Sequence, residues 1–244
     1  MPLGLAAASA AFAALGASGQ QLAIRPTYEI WQAVPGTPVS DIPEQDVGEI
    51  ACGTNGGPPS VPLARFEDFA QCPAEASGLH EVYFTYDDEA DYIARAMESE
   101  FRVVQGGTSV YAHPVIVSVL VGDAGVIEGF RIVTDDRVSL ADRRQAATLG
   151  RNLKARFSDW SLACTDIEPR PGEKPVGNLF LHEVCTGTSP DGEQVVRFES
   201  RFMRKPGQEG LDPETQQPNR GYFESTTRLE LLSSRYQPFA VDAP

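Results

Sequence analysis

The chain has 244 residues and a formal net charge of −14 at pH 7. A charge of this size and sign repels nucleic acids and anionic membrane surfaces at long range, and no block of Lys or Arg offsets it locally. We therefore expect no nucleic-acid partner and no attraction to an anionic bilayer.

The first residues have the features of an export signal. Residues 1–17 contain no charge, are rich in alanine, and lead into the small residues Ala17-Ser18-Gly19 before Gln20. This pattern predicts a signal peptide over residues 1–19, although the usual positively charged start is missing. The run is too short and too alanine-rich for a membrane anchor, and no later segment is long enough to cross a bilayer. We expect a periplasmic or secreted protein with no transmembrane span after leader removal.

Four cysteines fall into two pairs that are close in sequence. Joining Cys52 to Cys72 and Cys164 to Cys185 is the simplest of three possible connectivities, and each bridge would close a loop of about 20 residues. No Cys-x-x-Cys knuckle is present, which disfavours a tetrathiolate metal site. The sequence predicts two structural disulfides.

Residues 20–78 are predicted to form an irregular, Pro-rich lead-in that contains the first disulfide loop. Turn formers such as Pro35-Gly36 and Pro58-Pro59 recur throughout it, and only residues 63–70 have the spacing of a short helix.

Regular structure is predicted from Leu79 onward. Residues 79–86 alternate between apolar and polar as a half-buried strand does, and helical spacing follows over residues 88–99. Two apolar runs, 115–121 and 126–134, flank Gly122-Asp123-Ala124-Gly125 and predict a hairpin.

A second helix is predicted over residues 140–157, because Ser139 can cap it and Leu149 and Leu153 recur at helical intervals. Further strands are expected at 160–166, 179–185, 194–203 and 223–232, with Pro190-Asp191-Gly192 turning the middle pair. The long polar loop 205–220 is the segment that we expect to move.

These elements predict an α+β body over residues 79–244 with a mainly antiparallel sheet and two principal helices. Two arrangements are open: tandem α-plus-meander units with halves 79–136 and 137–244, or one continuous sheet with both helices on one face. The repeat of His80-Glu81-Val82 as His182-Glu183-Val184 is too short to decide between them.

Few residues indicate a metal or a cofactor. Asp87, Asp88, Glu89 and Asp91 form the densest acidic cluster, but the run lacks the glycine and the spacing of a calcium loop and is equally explained by helix capping. It is a weak metal candidate. The histidines His80, His113 and His182 match no zinc motif. No cofactor is expected.

No catalytic residue can be assigned, because the chain has no Gly-x-Ser-x-Gly elbow and its cysteines are predicted to form disulfides. One possible ligand or partner face remains. Arg197, Glu199 and Arg201 would share a face of one strand, in a row suited to an anionic ligand or an acidic partner strand. The alternative is an ordinary solvent-exposed sheet face.

Two classes of function are compatible with these features. The first is an exported, non-enzymatic binding or envelope-assembly module that offers sheet edges and loops to another envelope or extracellular protein. The second is an extracytoplasmic hydrolase with a dispersed acidic or His-containing site. The lack of any catalytic motif favours the binding module.

Overall fold

The computed structural model describes residues 28–86, 108–111, 113–208 and 223–238. In chain order the strands are β1 (Ile50–Cys52), β2 (His80–Phe84), β3 (Ser109–Val110), β4 (His113–Val121), β5 (Ile127–Thr134), β6 (Ala163–Asp166), β7 (Leu181–Thr188), β8 (Gln194–Met203) and β9 (Glu224–Ser233). The α-helices in these residues are α1 (Leu140–Arg143) and α2 (Ala146–Arg156), and short 3-10 helices cover Ile30–Gln32, Val39–Asp41, Glu44–Asp46 and Phe66–Gln71. None of these helices is both long enough and apolar enough to span a membrane.

The strands form one antiparallel sheet in the order β1-β2-β4-β5-β9-β8-β7-β6, with β3 paired to the start of β4. Strands β1, β2, β4 and β5 form one meander, and β6 to β9 form another. The two meanders meet through their last strands, because β5 pairs with β9 from Gly129↔Leu232 to Val133↔Arg228. The predicted mainly antiparallel α+β fold is confirmed at this level, with the sheet dominating.

The hydrophobic core lies on one side of the sheet. Helix α2 packs on β8 and β9, where Leu149 and Leu153 join the cluster that contains Phe198. The lead-in contributes residues to the same cluster, among them Ile30 and Val39, which are both buried. The Pro-rich segment therefore provides core residues over the first meander, as α2 does over the second.

Several predicted boundaries differ from the structure; β7, for example, covers Leu181–Thr188 rather than residues 179–185. Two of the differences have a clear physical cause. The predicted helix over residues 140–157 is interrupted after Arg143, because hydroxyls of β9 bind carbonyls of the helical segment: Ser225 Oγ donates to the Arg143 carbonyl, and Thr227 Oγ1 donates to the Ala146 carbonyl at 2.8 Å. The strand expected from residue 160 begins at Ala163, because Ser161 has a positive φ of 51°.

The predicted helix over residues 88–99 lies outside the described residues.

The two predicted hairpins are confirmed. Strands β4 and β5 pair along their length, and Gly125 N–H donates to the Gly122 carbonyl at 2.8 Å in the turn between them. Strands β7 and β8 are joined by a turn in which Gly192 adopts a φ of 77° and donates to the Ser189 carbonyl.

The two expected disulfides are present at opposite ends of the sheet. Cys52 lies in β1 and bonds to Cys72, which follows the 3-10 helix Phe66–Gln71. Cys164 lies in β6, directly opposite its partner Cys185 in β7. A disulfide thus links each terminal strand of the sheet to another segment: β1 to the residue after the 3-10 helix Phe66–Gln71, and β6 to β7.

Candidate binding site: the charged face and the open edge of the sheet

The face of the sheet opposite α2, called here the charged face, carries charged residues on its central strands. Register places Arg131 of β5 beside Glu230 of β9, and Glu230 beside Arg197 of β8. In the neighbouring row, Arg228 of β9 lies beside Glu199 of β8. Opposite charges therefore face each other across adjacent strands, an arrangement that favours pairing in this register.

Arg131 is the centre of this network and is only 2% exposed. Its Nε lies 2.6 Å from Glu230 Oε1, and its Nη1 lies 2.8 Å from both Glu75 Oε1 and Glu81 Oε2. Burial alone lowers the pKa of Arg131, but the hydrogen bonds that Arg131 donates to Glu75 and the charges of Glu81 and Glu230 offset it and hold the pKa above its ordinary value. The guanidinium is therefore permanently charged.

The network also fixes the first disulfide loop against the charged face. The Glu81 carboxylate accepts the N–H groups of Asn55 and Gly56, the latter at 3.0 Å. Arg228 Nη1 donates to the Asn55 carbonyl at 2.8 Å, and its Nη2 to Asn55 Oδ1 at 2.6 Å. A Cβ on Gly53 would lie 2.3 Å from Glu81 Cγ, so only glycine allows this close approach.

Arg197, Glu199 and Arg201, the predicted ligand or partner row, all lie on the charged face. Glu199 is buried; its Oε1 accepts from Arg201 Nε at 2.6 Å and lies 2.8 Å from His182 Nε2. Burial lowers the pKa of Arg197, opposed by the charges of Glu199 and Glu230. The cations of this row thus lie beside acids, so the row is not a patch of uncompensated positive charge. Its role as a ligand or partner site stays a prediction.

A cavity of about 460 Å³ opens above Arg131. Its polar wall includes Glu75 and Arg235, and Leu120 and Leu232 contribute apolar surface. Arg235 is paired with Glu128, with 3.1 Å between Nε and Oε2. The volume is in the range of small-molecule sites, which is about 300–1,000 Å³. The charged groups pair with one another, so the cavity offers hydrogen bonds rather than an unmatched charge.

A second cavity, of about 350 Å³, lies on the α2 side of the sheet. Trp31, Phe157 and Trp160 line it, and the guanidinium of Arg156 lies 4.1 Å from the centre of a Trp31 ring. The Phe157 and Trp160 rings meet edge to face with centroids 4.9 Å apart. These rings pack on each other, so the cavity is an extension of the core with a polar rim.

The two terminal strands of the sheet differ in how their outer edges are covered. The outer edge of β1 is paired with residues 60–63: Cys52 N–H donates to the Val61 carbonyl at 2.8 Å, and Leu63 N–H to the Ile50 carbonyl at 2.9 Å. At β6, all four residues are exposed, and among the described residues no main-chain group pairs with its outer edge.

The hydrogen-bond pattern identifies the main-chain groups on that outer edge. Ile167 N–H donates to the His182 carbonyl at 2.7 Å, and Thr165 lies opposite Val184 in the register with β7. Because the two directions alternate along an antiparallel strand, the N–H and C=O groups of Cys164 and Asp166 point away from β7. We call the outer side of β6 the open edge.

The structure does not bring the three histidines together. His80 is in β2, where its Nδ1 lies 2.7 Å from the Cys72 carbonyl, His113 begins β4, and His182 is in β7. Among the described residues, the cluster of potential metal ligands is Cys164, Glu183 and Cys185, but both sulfurs are in a disulfide. The acidic cluster at residues 87–91 lies outside the described residues.

Sequence reasoning missed the Arg131 network. A signal for it existed, because Arg131 lies between Phe130 and Ile132 and Glu230 lies between Leu229 and Leu231, and a charge with apolar residues on both sides in a buried strand is normally paired. The partner Glu75 and the open edge carried no such signal, because both depend on which strands become neighbours. The chain matches no protein-family model, no curated protein and no solved structure.

Proposed function

We propose that this chain is an exported, non-catalytic binding module that accepts an extended segment of another envelope or extracellular protein at the open edge. The observation that carries this proposal is the difference between the two ends of the sheet: β1 is covered by residues 60–63, whereas β6 presents the main-chain groups of Cys164 and Asp166 to solvent. An extended peptide can add a strand at such an edge through main-chain hydrogen bonds.

The position of the second disulfide supports this role. Soluble proteins generally protect exposed strand edges, because an unpaired edge recruits other chains. Here the edge strand is exposed, yet the Cys164–Cys185 bond ties it to β7. The disulfide keeps the outward N–H and C=O groups in strand geometry before a partner arrives, and this reduces the ordering cost of binding.

The proposal also includes export, so that the protein and its partner meet outside the cytoplasm. Two disulfides and no free cysteine among the described residues fit an oxidising compartment, and the apolar residues 1–19 fit a cleaved leader. Non-reducing mass spectrometry of the protein from its native source should give a chain that begins at Gln20 or a neighbouring residue with all four thiols oxidised. Retention of residues 1–19, or four free thiols, would contradict export.

Site-specific photo-crosslinking in the native source tests the binding role. A photoreactive residue replaces Asp166 at the open edge or Asp136, which is exposed in the loop after β5, in otherwise identical proteins. We expect one protein to be captured from position 166 and not from 136, and its capture to be lost when unlabelled wild-type chain is added in excess. Equal capture from both positions would contradict the proposal.

The second candidate function, a hydrolase with a dispersed acidic or His-containing site, has one observation in its favour. His182 and Glu199 are in hydrogen-bond contact, the kind of pair that a general base requires. Both side chains are less than one-tenth exposed, which leaves little access for a substrate. Turnover of a chromogenic ester or glycoside by the wild type that His182→Gln abolishes would support the hydrolase over the binding module.

A further inference from the structure

We infer that the segment accepted at the open edge is cationic, so that the partner presents an extended strand rich in Lys or Arg. This inference rests on the proposed function, because it assigns the chemistry of the strand that pairs with β6. Three features of the open edge support it: the charge around the edge, the unfavourable charge balance for a second copy of this chain, and the direction of the main-chain groups.

The charged residues of the segment that contains β6 are all acidic. Residues 158–168 contain Asp159, Asp166 and Glu168, all exposed, and no Lys or Arg. Lys154 of α2 reaches this side of the sheet, but its Nζ is paired with Glu183 at 2.6 Å, and Glu183 lies opposite Asp166 in the register with β7. A strand added beside β6 therefore meets the Asp166 carboxylate, with Glu168 two residues further along the chain, and opposite charges on neighbouring strands stabilise the pairing.

The same charges disfavour a second copy of this chain at the edge. Two β6 strands paired about a twofold axis would bring both copies of Asp166 and Glu168 into one short interface. Each chain also carries a net charge of −14, so the approach of two chains is opposed at long range. Both the acidic residues at the edge and the net negative charge of the chain favour a cationic strand from a different protein.

Main-chain pairing with β6 also determines which side chains of the added strand lie near Asp166. The outward groups of Cys164 and Asp166 provide two donors and two acceptors, which hold a short segment regardless of its side chains. The Asp166 side chain lies on the α2 side of the sheet, because Asp166 is on the same face as Cys164 and its partner Cys185. Cationic side chains on that face of the added strand reach Asp166, and we expect them to contribute more than those on the charged face.

Peptide binding to the purified mature chain tests the inference. The probes are acetylated peptides of about nine residues in which valine alternates with lysine, serine or glutamate. At low ionic strength we expect the lysine peptide to bind about tenfold more tightly than the serine peptide, with the glutamate peptide weakest, and the difference to shrink in high salt. The double variant Asp166→Asn/Glu168→Gln should remove most of this preference, whereas Glu44→Gln/Asp136→Asn, which removes the same charge from exposed positions outside residues 158–168, should not.

A proline substitution separates failure of this inference from failure of the proposed function. Asp166→Pro removes one outward N–H, and edge strands tolerate proline where the N–H faces solvent. Asp166→Ala removes the charge and keeps the N–H. Loss of serine-peptide binding in the proline variant alone supports strand addition. If that loss occurs but the wild type binds the lysine and glutamate peptides equally, the inference of a cationic partner is wrong, whereas the proposal of strand addition at the open edge is retained. If no peptide binds the wild type, or all bind the proline variant as before, both proposals are wrong.

Discussion

At the scale of single residues, the Arg131 network explains how a protein of this fold keeps several charges away from water. One guanidinium holds three carboxylates: Glu75 from the segment between Cys72 and β2, Glu81 from β2 and Glu230 from β9. Removing a charge from water is costly unless it is paired and hydrogen-bonded, and here each of the three carboxylates is paired with Arg131 and accepts a hydrogen bond from Arg131 or from a main-chain N–H. The network therefore fixes the segment that carries Glu75 relative to β5 and β9 rather than adding to the hydrophobic core.

Replacement of Arg131 measures this contribution. Arg131→Met leaves Glu75, Glu81 and Glu230 without their shared cation, so we expect the free energy of unfolding to fall by about 3–5 kcal/mol in urea titrations. Arg137→Met is the matched control: Arg137 pairs with Asp135 on the surface, its side chain is 52% exposed, and its loss should cost less than about 1 kcal/mol. Equal costs for the two variants would show that the buried network adds no more than a surface ion pair.

Tyr28 makes the stability depend on pH at the alkaline end. Burial, with a smaller contribution from Asp41, raises the pKa of Tyr28 from 10.0 to about 12. Because the folded-state pKa is the higher one, the stabilising effect is complete below pH 10 and is lost as the pH rises through about 12. The wild type should lose more free energy of unfolding than Tyr28→Phe between about pH 9 and about pH 12. Parallel pH profiles for the two proteins would contradict the assignment.

At the scale of elements, the sequence predicted those structures that depend on local spacing. The β4–β5 and β7–β8 hairpins follow from alternation and turn residues, and the disulfide pairs follow from their separation in the chain. The break after Arg143 could not be predicted, because it depends on hydroxyls of β9 that lie about 80 residues away in sequence. The pairing of β5 with β9, which joins the two meanders, could not be predicted for the same reason.

Gly129 allows the close approach of β5 and β9, the two strands that join the meanders. A Cβ at this position would lie 2.0 Å from the Leu231 carbonyl oxygen of β9, a main-chain atom that cannot rotate away. We expect Gly129→Ala to separate the meanders locally and to cost about 2 kcal/mol or more in thermal or urea unfolding. Thr186→Ala, on exposed β7 surface, is the matched strand control and should change stability by less than about 0.5 kcal/mol. A tolerated Gly129→Ala would show that β5 and β9 are not in such close contact.

At the scale of the whole molecule, the two ends of the sheet differ in how their outer edges are covered. One end is covered by the lead-in, and the other end is held in strand geometry by a disulfide and remains exposed among the described residues. The charged face lies between these ends with its cations and acids paired across strands. The net charge of −14 would therefore attract the cationic partner that we propose at long range.

Amide hydrogen exchange at β6 reports strand addition at the open edge for each main-chain N–H group separately. Exchange rates are compared between the free mature chain and its complex with the valine–lysine peptide. We predict that the amides of Thr165 and Ile167, which face β7, are protected in both states, whereas those of Cys164 and Asp166 exchange rapidly in the free chain and become protected in the complex. Protection of Cys164 and Asp166 already in the free chain, or no change on binding, would contradict the account.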